Sequence, residues 1–272
     1  MKRYSISPSG MFCGFYQHRY LLYSLTKREI TGRYKGSFLG MLWSLFNPLI
    51  MLVVYTFVFS VVFSARWGDR TESTVEYGLI LFAGLIVFNL FSECFSRAPM
   101  LILENVNYVK KTFFPLEILQ IVILGSACFH LLVSLAVWLF AHVILFGIPP
   151  VTIVWLPLIL MPLCLFSLGI SWLLASLGVY LRDVTHIVGI CNSILLFMSA
   201  IFYPLSAMPE NYHTWMRLNP LVLSVEMVRD VMYFGSPPNF THLGLFWGYA
   251  VLAAWLGFAW FQLTRKGFAD VL

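Results

Sequence analysis

The sequence predicts an all-α integral membrane protein: six transmembrane helices, an N-terminal amphipathic interface helix, and a short outer-surface or re-entrant helix between spans five and six. Three observations predict it. Hydrophobic residues fill 60% of the 272 positions and charged residues only 11%, where a soluble domain carries about 25%. Six apolar runs are long enough to cross a bilayer. Thirteen of the 17 Lys and Arg fall in segments that a six-span layout puts on one side, leaving only Arg66, Arg70, Arg217 and Arg229 on the other. Basic residues near spans stay on the cytoplasmic side, so both termini are expected there.

The elements follow in order. Residues 12–34 suit an interfacial helix, with Phe15, Leu22 and Leu25 near one face and Arg19, Lys27 and Arg28 on another. Seven of the basic residues precede position 36, a membrane-side anchor. The first span is expected over 38–63, entered through Trp43 and Asn47-Pro48. A polar loop over 66–72 leads to the second span, 78–97. Residues 104–117 form a charged connector. The third span covers 118–146 and closes at Gly147-Ile148-Pro149-Pro150. The fourth covers 152–180, with bends at Pro157 and Pro162. Arg182-Asp183 is a tight polar turn before the fifth span, 186–204.

Residues 205–240 are no ordinary loop. Asn219-Pro220 is a strong helix start, and a short helix over 221–234 stops at Gly235-Ser236-Pro237-Pro238. It carries Glu226, Arg229 and Asp230, so it must pack on protein or line a wet cavity. The sixth span covers 242–263. Domain limits are therefore 1–37 for the cytoplasmic N-terminal segment, 38–264 for the transmembrane domain and 265–272 for a cytoplasmic tail. Small residues recur four apart at Gly32, Gly36 and Gly40, at Ser167, Ser171 and Ala175, and at Gly244 and Gly248. Such sets let helices approach closely, within one subunit or between two.

Several chemistries are not encoded. There is no GxxxxGK[ST] phosphate loop, no HExxH, no GxSxG and no paired carboxylates aimed at a pocket. No catalytic or metal site is expected. Cys13, Cys94, Cys128, Cys164 and Cys191 lack metal or disulfide spacing and read as small apolar residues. No basic run interleaved with aromatics suggests nucleic acid. Glu93 and Arg97, four apart, suit an ion pair on one helix face, either structural or at a cytoplasmic mouth. His130, His142 and His186 read as core or interfacial side chains, and Asn89 and Asn192 as interhelical hydrogen-bond partners. The connector carries Asn105, Asn107, Lys110 and Lys111 on a short helix suited to docking on a soluble partner, or it is a solvated turn. Aromatics are 17% of the chain. Tyr55, Phe59, Phe82, Phe88, Phe197 and Tyr203 lie on spans one, two and five, where rings pack in lipid or meet the C–H faces of sugars.

The words Leu25-Thr26-Lys27-Arg28-Glu29-Ile30, Arg33-Tyr34-Lys35-Gly36-Ser37, Leu39-Gly40-Met41-Leu42-Trp43, Val109-Lys110-Lys111, Phe113-Phe114-Pro115-Leu116-Glu117, Val179-Tyr180-Leu181-Arg182-Asp183 and Asn219-Pro220-Leu221 stand in an order that resembles ABC-2 type transporter permeases, and within them exporters of O-antigen and related lipid-linked polysaccharides. One departure is Gln120, where many relatives have Pro. The resemblance implies a homodimer served by two copies of a separate ABC ATPase subunit, which would carry ATP and Mg. No cofactor is then expected on this chain. It also implies a coupling role for Asn105, Asn107, Lys110, Lys111, Arg182 and Asp183. A channel lined by the six aromatics and a gate bearing Glu226, Arg229 and Asp230 follow from it too. The cargo would be an undecaprenyl-linked polysaccharide crossing the inner membrane. Teichoic acid, capsule, lipid or drug cargo, or a membrane glycan-modifying enzyme, are the alternatives.

Overall fold

A computed structural model describes residues 16–62, 67, 74–110 and 114–272. The described chain is helical with no strand. Helix α1 (Arg19–Tyr34) comes first and runs beside residues 118–130. Its Leu25 is buried against Ile118 and Val122, with Leu22 beside it. Phe15, the other apolar residue expected on this face, lies outside the described residues.

The glycines after α1 do not form a helix face. Gly36 has φ +87° and Gly40 φ +52°, a left-handed backbone that only glycine adopts freely. They turn the chain from α1 into a 3-10 turn, Gly40–Leu42. Helix α2 (Trp43–Thr56) follows and loosens into a π-helical turn, Phe57–Val62. Helix α3 (Thr74–Arg97) is the central strut, and Leu79, Ile80, Leu81, Ala83 and Val87 are all buried. The connector then breaks into two single-turn helices, α4 (Leu101–Glu104) and α5 (Val106–Val109).

Helix α6 (Ile118–Phe146) is the longest. Helix α7 (Leu156–Tyr180) is preceded by a 3-10 turn, Val151–Trp155. Pro157 sits in its first turn, where the missing N–H was unpaired anyway. Only Pro162 is inside the helix. Helix α8 (Val184–Met198) is followed by α9 (Glu210–Arg217). Helix α10 (Pro220–Met232) is capped by the Asn219 side chain, which accepts from the Leu221 N–H. Helix α11 (Phe240–Thr264) is capped in the same way by Asn239. The expected tail is not free. Its α12 (Phe268–Val271) buries Phe268 on Phe261, ring centres 5.5 Å apart.

Among the described residues, five segments are long and apolar enough to cross a membrane: Gly40–Phe59, Val75–Glu104, Ile118–Phe146, Val151–Tyr180 and Phe240–Val271. The helix at the expected fifth span, 186–204, is shorter than that range. Helix α8 ends at Met198, so at 1.5 Å per residue it is about 22 Å long, short of a hydrocarbon core of roughly 30 Å. The chain then folds over, with Ala200 at φ 52°.

Helix α7 packs backbone to backbone on α11. A Cβ on Gly257 would stand 2.0 Å from the Gly169 carbonyl oxygen, and one on Gly169 would stand 2.3 Å from that of Ala253. Neither glycine belongs to a small-residue set flagged in the sequence. Of those sets, Ser167, Ser171 and Ala175 are buried. Around a Cβ at Gly244 or Gly248 nothing lies within 4 Å, so these positions pack on no other helix among the described residues.

Candidate functional site

Inside an apolar span, polar residues at helical spacing mark a face that meets something other than lipid. Helix α3 carries Asn89, Ser92, Glu93 and Ser96 at such spacing. Helix α2 turns Ser44, Asn47, Met51 and Tyr55 toward them, and α6 turns Ala127, His130, Leu131 and Ser134. With Arg33 and Tyr34 of α1, these stripes line a cavity of about 470 Å3 that also includes Phe82 and Arg97.

An ion-pair network closes its α1 end. Glu93, 12% exposed, accepts from Arg33 at 2.6 Å and meets His130 Nδ1 at 2.9 Å, and Arg97 is 3.6 Å away. Arg97 also donates to Glu29. Tyr34 Oη bonds His130 Nε2 at 2.9 Å. The expected Glu93–Arg97 pair therefore exists, but its shorter contacts tie the interface helix to α3 and α6. Asn89 is exposed to the cavity and has no hydrogen bond among the described residues, contrary to the expected interhelical bond. Sequence reasoning missed the cavity as a unit. Its signal was the i, i+3, i+4, i+7 stripe in α3.

The connector residues lie at the same end. Asn107 and Lys110 are exposed. Asn105 is not: its amide folds back to donate to the Leu101 carbonyl at 2.9 Å. Lys111 lies outside the described residues. Arg182 and Asp183 are exposed nearby, and Arg182, Thr185 and His186 share a groove with Met100 and Leu103. The connector is wired to its neighbours. Arg28 donates to Tyr108 Oη at 2.9 Å, Tyr108 stacks on Phe114 at 4.2 Å, and Arg265 pairs with Glu117 at 2.6 Å while donating to the Phe114 carbonyl.

The aromatics divide. Phe82 and Phe88 are 2% and 4% exposed. Both pack in the protomer core; Phe82 is also among the residues that line the cavity, and Phe88 is not. Tyr55 and Phe59 are half-buried and cluster with Phe202, which stacks on Phe59 at 5.5 Å. Phe197 is 62% exposed, and Tyr203 donates to its carbonyl at 2.9 Å.

At the opposite end Arg229, expected on the gate helices, is a buried tie at the edge of a second cavity. It is 3% exposed. Its Nε donates to the Ile80 carbonyl at 3.1 Å, Nη1 to that of Ala200 at 2.7 Å and Nη2 to that of Ile201 at 2.6 Å. The guanidinium also sits 4.3 Å over the Trp67 ring. It thus satisfies carbonyls freed where α8 ends. Gly84 makes room, since a Cβ there would stand 2.6 Å from Nη2. Glu226 and Asp230, one turn apart on the same helix, face this second cavity with His213 and Arg217. Burial raises the Glu226 pKa above the ordinary carboxylate range, and Arg217 offsets part of that.

Among the described residues no group of His, Cys, Asp and Glu is arranged to hold a metal. Cys94, Cys128, Cys164 and Cys191 are free thiols.

Apolar helices long enough to cross a membrane, enclosing a polar cavity with a wired polar connector at one end, fit a multi-span membrane permease. The chain belongs to the ABC-2 type transporter family, whose profile matches residues 20–233. It is 27% identical over 257 residues to the O-antigen export system permease protein RfbA of Myxococcus xanthus, covering 94% of this chain and 96% of that one. It is 25% identical over 254 residues to RfbA of Klebsiella pneumoniae, covering 93% and 95%. It is also 25% identical over 264 residues to the polysialic acid transport protein KpsM of Escherichia coli, covering 93% and 96%.

Proposed function

We propose that this chain is the transmembrane permease subunit of an ATP-driven exporter that moves a lipid-linked polysaccharide, O-antigen-like, across the inner membrane. The observation that carries this reading is end-to-end similarity to permeases named for polysaccharide export. The polar cavity beside aromatic rings suits such a cargo.

Two copies of the chain work with two copies of a cytoplasmic ABC ATPase, which supplies ATP hydrolysis. The first span supports the homodimer: Leu45, Phe46, Ile50, Val53, Val54 and Phe57 are exposed, and with Ile187, Ile190 and Ile194 of α8 they offer an apolar face to a second copy. In the dimer α8 and the folded segment after it make up the sixth crossing, and both termini are cytoplasmic. Asn107, Lys110, Lys111, Arg182 and Asp183 meet the ATPase. Their motion reaches α1 through Arg28–Tyr108 and then α3 and α6 through Glu93. Tyr55, Phe59, Phe82, Phe197 and Tyr203 contact the polymer, and the segment carrying Glu226 and Asp230 gates the outer mouth.

Inactivating the gene and staining surface polysaccharide tests the function. Polymer should accumulate inside the cell and return to the surface on complementation. Unchanged surface polysaccharide in the inactivated strain would refute the reading. Reporter fusions after residues 70 and 183 test orientation, and a cytoplasmic signal from the fusion at 70 would contradict it.

A further inference from the structure

We propose that Cys128 and Cys164 are a modification site: a peroxide converts the two thiols into a disulfide that staples α6 to α7. The site is a property of the folded chain and does not depend on which cargo is exported.

The two residues are 36 positions apart, so their spacing does not announce a pair. The fold sets them on consecutive helices with the Sγ atoms 4.0 Å apart, where either thiol can donate to the other. Both are free. A disulfide holds its sulfurs at about 2.05 Å, so this pair has about 2 Å to close.

Access decides which thiols react. Cys128 and Cys164 are half-buried. Cys94, near them on α3, is buried. Leu132, one turn beyond Cys128, and Met161, one turn before Cys164, are exposed, and neither cysteine lines the cavity against α1. The pair therefore opens on the apolar outer surface of the protomer. Hydrogen peroxide is small and neutral and reaches such a place. A protein reductant must bring its own thiolate onto a disulfide sulfur, and one dissolved in water does not reach that depth. The modification should then outlast the oxidant.

The chemistry balances. The thiolate of one cysteine attacks a peroxide oxygen. The O–O bond breaks, the sulfur is oxidised to a sulfenic acid, and the reduced oxygen leaves as hydroxide, which takes the proton that the thiol released and becomes water. The second sulfur attacks the sulfenic sulfur. The S–S bond forms, the S–O bond breaks, and the hydroxyl leaves with the second thiol proton as another water. Two thiols and one hydrogen peroxide give one disulfide and two waters.

Packing shows what the staple adds. Helix α6 is held to α1 and α3: Leu25 lies on Ile118 and Val122, His130 meets Tyr34 and Glu93, and Trp138 Nε1 donates to the Leu79 carbonyl at 2.9 Å. Helix α7 is held to α11 through Gly169 and Gly257. The disulfide links these two groups covalently and closes a loop in the unfolded chain, which lowers its entropy.

The test treats the permease with its ATPase in nanodiscs with hydrogen peroxide. Remaining thiols are then blocked with N-ethylmaleimide under denaturing conditions, and the digested chain is read by mass spectrometry. A linked peptide holding Cys128 and Cys164, two hydrogens lighter than the separate peptides and split by dithiothreitol, is expected, with a raised unfolding temperature in the oxidised protein. Cys94→Ala should keep both results. Cys164→Ala should lose both and leave a sulfenic acid on Cys128 that dimedone traps. The exposed Met161 reports that peroxide has reached the site. If Met161 is oxidised while Cys128 and Cys164 both still take maleimide, or if the disulfide formed joins Cys94 instead, the inference falls.

Discussion

Replacing Arg229 by Met removes a side chain that joins α10, α3 and the end of α8, while roughly preserving its apolar bulk. The Ile80 carbonyl lies within α3 and keeps its helical partner. The Ala200 and Ile201 carbonyls lie past the end of α8 and lose a charged donor at 2.7 and 2.6 Å. Each buried carbonyl left unpaired costs about 1–3 kcal/mol, and loss of the stack on Trp67 adds about 0.5–2 kcal/mol. Methionine carries no charge to desolvate, which offsets part of this. The net expected loss is about 3 kcal/mol. Ala200 also has φ 52°, a conformation that a non-glycine residue holds only when its surroundings impose it. The assay is denaturant unfolding of the purified protein in mild detergent, with protease nicking between residues 198 and 220 as a local readout. Arg229→Lys should fall between, because one ammonium cannot fork to three carbonyls. Gly84→Ala should show a smaller loss in the same direction, since its new Cβ crowds Nη2. If Arg229→Met stays within about 0.5 kcal/mol of the parent, the range of ordinary surface changes, and 198–220 stays protected, the tie is not what holds this segment.

Four further outcomes are expected. Glu93→Gln should release α1 and lower stability by about 1–3 kcal/mol, below the figure for a fully buried pair because Arg33 is half exposed. Faster hydrogen exchange confined to 19–34 would show it, and unchanged exchange would count against the network. Lys110→Glu with Lys111→Glu should lower transport at least tenfold while the ATPase still turns over, and normal coupling would remove the docking role. Phe197→Ala should slow polymer passage without changing stability, whereas Phe59→Ala should also destabilise by about 2–3 kcal/mol through lost ring packing. Passage at the parent rate in both would exclude these rings from the path. Glu226 has its folded pKa raised by burial, so its contribution to stability is present at low pH and lost as pH rises through that pKa. Glu226→Gln should therefore raise the unfolding temperature at pH 8 more than at pH 5, and an equal effect at both would contradict this.

Much of the fold was legible because its causes are local. The third span was read as 118–146 and is Ile118–Phe146, since apolar length and the Gly147 break act within one helix. Asn219 and Pro220 announced α10 because a cap and a fixed φ need only their neighbours. The helix at the fifth span is shorter than its apolar run, which continues through 199–204, because the backbone there is bent by a group far along the chain.

The amino-acid sequence by itself determined that this protein is a set of apolar helices with few charges among them. Burial of apolar length and cost of moving charge through lipid depend on composition in sequence order. Only the tertiary structure decided that Arg229 reaches a carbonyl 149 positions away, that Gly169 meets Gly257, and that lone polar residues on three helices face one cavity. Those contacts depend on how each helix is rotated about its axis and which neighbour it meets, and helix-forming chemistry leaves both open.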